Sequence, residues 1–194
     1  MTTEPTAKRW TRIARVFHWT TLVLIIIQIP LGLLMVEVYE VYTETYADDT
    51  WVMRTSLVHH TLGFTILGVT LSRFGWRMSH PAPALPASLE SYQRWLARLT
   101  HICLYLLLII YPLSGWASLS AYEGEFPIFF FGFDNVPGIV PQATEDAFFN
   151  YEFFAEIHRY CWRVGAALLG LHVVGALWHH FVAKDGVLRR MWAG

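Results

Sequence analysis

The sequence predicts an all-α fold: a transmembrane four-helix up-down bundle with both termini cytoplasmic. Three observations predict it. Hydrophobic residues make up 55% of the 194 and charged ones only 15%, against about a quarter charged in ordinary soluble domains. Four apolar stretches are each long enough to cross a hydrocarbon core of about 30 Å. Basic residues gather on alternate connections, the bias that keeps positive charge in the cytoplasm. The net charge is −1, so there is no basic footprint for nucleic acid. The partner that the composition demands is membrane lipid, because a soluble chain of this make-up would expose far too much apolar surface.

The four helices are expected at about 11–36, 51–76, 92–119 and 150–182, within one domain covering 1–194. The first, VFHWTTLVLIIIQIPLGLLMV, follows a basic arm and has no clear small-residue cleavage site, so it reads as a retained span and not a signal peptide. Pro30 near its far end is positioned to kink it. A polar, tyrosine-rich connection, EVYEVYTETYADDTW, is expected next. The second helix carries VHHTLGFTILGVTLSRFGW, and the proline-rich SHPAPALPASLE links it to the third. The third holds His101 early and Pro112 late. The long stretch from Ser120 to Asn150 is rich in Gly, Pro and acids; it either caps the bundle or docks a partner. Cys103 and Cys161 lie inside apolar runs, where they read as small packing residues or as a bridge between helices. No CxxCH occurs, which argues against covalent haem attachment.

Charge sorts the two sides. Lys8, Arg9, Arg12, Arg15, Arg73, Arg77, Arg94, Arg98, Lys184, Arg189 and Arg190 fall on the side of the termini. Arg54, Arg159 and Arg163 fall on the other, together with most acids, among them Glu37, Glu40, Asp48, Asp49, Glu123, Glu125, Glu145 and Asp146. The outer surface is therefore expected to be strongly negative.

The chemistry lies in the histidines. His158 and His172 are 14 residues apart, almost four whole turns, so they share a face about 21 Å apart along the axis. Gly165 falls midway on that stripe and Gly63 lies one turn after His59, both making room for a flat ligand. Counted by depth, His59 and His158 meet near the outer surface, and His18 and His172 near the inner one. Two tiers of facing imidazoles are the donor set of two bis-histidine, non-covalent b haems. Zinc would want more ligands at one level, and non-haem iron an inward carboxylate. His101 also reaches the inner level, and depth alone does not choose two ligands among His18, His101 and His172. His60 points about 100° away from His59. Arg15 and Arg73 are placed to pair with propionates inside, and Arg54, Arg159 and Arg163 to do so outside. His179 and Lys184, near the inner surface, suit a quinone that needs hydrogen-bond donors and a proton.

The motifs VFHW, VHHTLG, LTHICLYLL, IHRY, GLHVVGALWHH and KDGVLRRMW, in this order, resemble the bacterial cytochrome b561 family of four-helix di-haem membrane cytochromes. The resemblance spans nearly the whole chain. It implies that His18, His59, His158 and His172 are the axial ligands and that His101 is free to serve a propionate or quinone. It also implies a bacterial inner-membrane location, ubiquinone as electron acceptor and superoxide as donor. The acidic outer surface instead suits a basic periplasmic redox protein as donor. A third expectation is a haem-b anchor within an oligomer or larger oxidoreductase.

Overall fold

The computed structural model describes residues 9–46, 48–85 and 89–192; Lys8 and part of the proline-rich connection lie outside them. The described residues form four long helices, α1 (Arg12–Thr45), α2 (Thr50–Ser79), α3 (Ser91–Ala121) and α4 (Tyr151–Trp178). A π-helical turn, His179–Ala183, and a short α5, Arg189–Trp192, follow. There is no named strand among these residues, only two isolated β-bridges.

Each helix starts on a local signal. Thr11 accepts from the Ala14 amide at the head of α1. Asp48 accepts from the Thr50 amide and hydroxyl before α2, which holds its carboxyl below the usual range. Glu90 and Gln93 form a reciprocal capping box on α3, and Asn150 caps α4 through the Phe153 amide at 2.9 Å. Such caps satisfy amides that a helix cannot bond internally.

The polar connection expected after Val36 is corrected. VEVYEVYTET contains neither Gly nor Pro, so α1 continues to Thr45 and stops where Tyr46 turns left-handed at φ 50°. At 34 residues, α1 is about 51 Å long, well beyond a hydrocarbon core. Pro30 is carried inside the continuous helix. The fourth helix also departs from expectation, changing to π geometry at His179 and ending at left-handed Lys184.

Three helical segments, Arg12–Thr45, Ser91–Ala121 and Tyr151–Ala183, are long and apolar enough to cross a membrane. α2 matches them in length, but Arg54, His59, His60, Arg73 and Arg77 make it more polar. The buried set confirms a lipid-facing design. It consists mainly of small or hydroxyl-bearing residues, among them Thr21, Ser56, Thr70, Ser114, Ala117 and Ser118, while Ile26 and Val174 are 60% and 64% exposed. Small residues let helix backbones approach where lipid removes the usual hydrophobic drive. Most of these hydroxyls return to their own helix, as Thr21 does to the Phe17 carbonyl at 2.7 Å and Ser120 to Trp116 at 2.6 Å.

The helices pack as two hairpins, α1 on α2 and α3 on α4, with lighter contact between α2 and α3. The connection between α3 and α4 folds back over α2 and α3. Ile128 and Phe129 are buried, and the Phe129 amide donates to His60 Nδ1 at 3.4 Å. The Phe131 amide donates to Thr61 Oγ1 at 3.1 Å. A tight turn through Phe131 and Gly132, with φ 47° and 87°, reverses the chain as a type I′ turn requires. These contacts lay the stretch over the bundle as a cap.

Replacing Phe129 by Ala should cost about 3 kcal/mol by emptying a buried aromatic site. A lower thermal midpoint with faster proteolytic nicking between residues 122 and 150 is the expected result, and an unchanged nicking rate would show that Phe129 does not hold the cap.

Candidate functional site

The seam between the two hairpins is bridged by histidines in two tiers. Nearest the α1–α2 turn, His59 on α2 faces His158 on α4, with ring centroids 6.3 Å apart. Nearest the termini, His18 on α1 faces His172 on α4 at 6.2 Å. A metal–imidazole bond is about 2 Å long and the nitrogen lies about 1.2 Å from the ring centre, so two rings on one ion stand about 6 Å apart. Both tiers meet that spacing. His101 on α3 stands closer to His172, at 5.3 Å.

The neighbouring helices hold the rings. His158 Nδ1 lies 3.0 Å from the Tyr111 carbonyl oxygen and 3.2 Å from Ser114 Oγ. His101 Nδ1 is bonded to the Ala97 carbonyl. These contacts occupy Nδ1 and leave Nε2 for another partner, the division of labour found in metal-binding histidines. Two glycines that sequence reasoning passed over make room for the rings. A Cβ on Gly115 would lie 2.9 Å from His158 Cε1, and one on Gly32 3.2 Å from His59 Cε1. The glycines expected to make that room behave differently. Gly63 has only Gln28 Nε2 near, at 3.8 Å, and the missing side chain of Gly165 is met by Leu107 Cδ2 at 2.7 Å.

The arginines also divide. At the terminal end a cleft of about 210 Å³ is lined by Arg9, Trp10, Arg73, Arg77 and Tyr105, among others. Arg77 Nη1 is buried there, and Arg15 Nε is buried beside a neighbouring cleft that Trp19 and Met191 also line, both with no partner among the described residues. Orphaned guanidinium nitrogens call for an anion, and Arg77, one turn after Arg73, was not among the expected contacts. Arg73 Nη2 lies 3.4 Å from His18 Nδ1. A guanidinium only donates, so a metal on His18 Nε2, which leaves the proton on Nδ1, requires Arg73 to turn toward another acceptor. At the opposite end the three arginines each have a local partner. Arg54 lies over Trp51, Arg163 over Tyr160, and Arg159 is paired with Glu152 and Glu156.

His179 takes a carboxylate partner that the sequence did not reveal. Its Nδ1 lies 2.5 Å from Asp185 Oδ2, and Asp185 Oδ1 accepts from the Val187 amide. Lys184 is exposed at the left-handed residue between them. His60 serves the cap, stacked on Phe129 at 5.9 Å.

The family model of prokaryotic cytochrome b561 matches residues 9–194. The chain belongs to the prokaryotic cytochrome b561 family. Cytochrome b561 homolog 2 of Escherichia coli is 32% identical over 187 residues, 96% of this chain and 92% of that one. Cytochrome b561 homolog 1 of the same organism is 30% identical over 133 residues, 69% and 72% of the two chains. A protein of Yersinia pestis named as a probable superoxide oxidase is 26% identical over 174 residues, 90% of each. Membership makes the chain a membrane electron-transfer protein, and the family implies haem b. The donor set fits that group: imidazoles paired at 6.3 and 6.2 Å, and partnerless guanidinium nitrogens suited to carboxylates.

Gly115→Ala should force the His158 ring aside, since its Cβ would lie within 3.0 Å of ring atoms. The expected outcome is a loss of haem absorbance per chain, with a smaller loss for Gly32→Ala. Full absorbance in Gly115→Ala would show that the His158 ring position is not needed for haem.

Proposed function

We propose that this chain is a di-haem b cytochrome of the bacterial inner membrane that carries single electrons between the periplasmic face and the ubiquinone pool. The observation that carries this reading is the pair of imidazole tiers, at 6.3 and 6.2 Å, set on four helices with the basic ends together. His59 and His158 hold the outer haem and His18 and His172 the inner one. A haem gripped by two imidazoles supplies one-electron transfer and offers no open position to oxygen or substrate. All four long helices span, with both termini cytoplasmic. α2 tolerates its polarity because it is covered by α1, α3 and the cap.

At the inner face, Arg73, Arg77 and Arg15 pair with propionates and His101 serves as a nearby donor. His179 supplies a proton from Nε2 to a quinone carbonyl while Asp185 holds Nδ1. Lys184, exposed beside them, attracts the partly charged head group. Reduction of one ubiquinone takes two electrons and two protons, both protons entering from this side.

Two donors fit the outer face. The relative named as a probable superoxide oxidase supports superoxide, two of which would each give one electron and leave as oxygen. The geometry favours a basic periplasmic redox protein. α1 carries the exposed Glu37, Glu40 and Glu44 beyond the span, and the cation of Arg159 is already neutralised by Glu152 and Glu156. A field of that sign slows an anion and steers a cation-rich surface. Membership of an oligomer or larger oxidoreductase is compatible with either donor.

His59→Ala and His158→Ala should each remove one haem and spare the other; pyridine haemochrome counting per chain reads this directly, and loss of both from folded protein contradicts separate sites. His179→Ala should keep both haems and slow ubiquinone reduction at least tenfold; an unchanged rate removes His179 from the quinone site. Raising salt should slow reduction by a basic protein and leave reduction by superoxide unchanged or faster, because screening weakens both fields. The reverse pattern would favour superoxide.

A further inference from the structure

Gln28 is the lone amide in the apolar run LVLIIIQIPLGLL of α1. A polar side chain at that depth needs a reason. Its Nε2 lies 3.1 Å from His59 Nδ1 and 3.0 Å from the His59 carbonyl oxygen. Its Oε1 is buried with no partner among the described residues. Gly63 on α2 leaves the amide room, and Gly32, one turn further along α1, receives the His59 ring.

We propose that Gln28 is a positioning residue for His59, which fixes the ring through Nδ1 and thereby sets the reduction potential of the outer haem. This rests on the reading of His59 as an axial ligand. The proton inventory drives it. In the arrangement seen, the amide donates to the carbonyl and toward Nδ1, so the ring proton sits on Nε2. Iron requires that nitrogen bare, which moves the proton to Nδ1 and sets two donors face to face. A half-turn of the amide, with the small shift that carries Oε1 clear of the His59 carbonyl oxygen, brings Oε1, the atom now without a partner, to Nδ1, and Nδ1–H then donates to it. The His59 carbonyl keeps its place in the ladder of α2. A carboxamide suits this position because donor and acceptor stand at equal reach on one group.

An acceptor on Nδ1–H makes imidazole a more basic ligand, which favours the oxidised iron and lowers its potential. His158, across the tier, has Nδ1 3.0 Å from the Tyr111 backbone carbonyl, an acceptor that no side-chain change alters, with Ser114 Oγ beside it at 3.2 Å. On the His59 side the partner of Nδ1 is the Gln28 side chain alone among the described residues. If Gln28 only tied α1 to the His59 carbonyl, replacing it would lower stability and leave the potential alone.

The test uses full-length wild-type protein, Gln28→Leu and Gln28→Glu in detergent, with haem counted per chain and both haems titrated optically. His158→Ala, which retains only the inner haem, assigns the two midpoints. In Gln28→Leu the outer midpoint should rise, and in Gln28→Glu it should fall, each by about tenfold in the reduction equilibrium, or 59 mV for one electron. The inner midpoint should stay put. Loss of the outer haem alone from Gln28→Leu would also support the assignment. Two haems with both midpoints at wild-type values in Gln28→Glu would overturn it, whatever the Leu variant does. A wild-type protein without two haems, or His59→Ala that keeps both, would instead overturn the reading of His59 itself.

Discussion

The structure depends on one constraint: two helical hairpins must stay joined across a seam that little packing fills. α1 packs on α2 and α3 on α4, whereas contact between the hairpins is light. What crosses the seam at both levels is imidazole facing imidazole, His59 to His158 and His18 to His172. Bare imidazoles are poor adhesive in lipid. A macrocycle held between each pair would fill the seam and bond both sides at once, so binding energy for the cofactor would also be folding energy. The same logic explains the small, hydroxyl-rich interior. With bulk supplied by a bound group, the helices need only close approach to their own partner, which Ser114, Ala117 and Ser118 on α3 and Ala155 on α4 allow.

Much of this was legible in the residues because membranes and imidazole spacing impose strong periodicities. The 14-residue interval between His158 and His172 fixes a shared face, and depth counting matched rings that the fold brings within 6.3 Å. Helix ends were less legible. VEVYEVYTET looks polar enough to be a loop, yet nothing in it breaks a helix, so backbone bonding continues past the membrane boundary. Polarity there reports solvent, not the end of α1.

The residues that support the rings were mostly invisible. Gly32 and Gly115 sit on the opposing helix from the histidines they relieve, and no spacing along one helix reveals a neighbour across the seam. Tyr111 acts through its carbonyl oxygen, which every residue carries. Gln28 did leave a signal, a single amide among aliphatics. Asp185 left a weaker one, since an acid after a basic residue at a helix end usually faces water. Gly165 shows the opposite error: a glycine on the histidine stripe reads as space, but Leu107 takes it.

The two ends of the molecule make different electrostatic demands, and the structure answers them differently. At the end that carries the termini Arg73 and Arg77 line one small cleft and Arg15 the next, with guanidinium nitrogens of Arg77 and Arg15 left over. Buried cations without partners are costly, so that end is built for anions it does not itself supply. At the opposite end the cations are already engaged: Arg159 is clasped by two glutamates, and Arg54 and Arg163 lie over aromatic rings. The projecting end of α1 adds further carboxylates in open water. A protein that captured a small anion at this surface would be expected to keep its arginines free and its acids distant. Here the arrangement is reversed, and that reversal is what supports the proposed cationic partner over a small oxyanion.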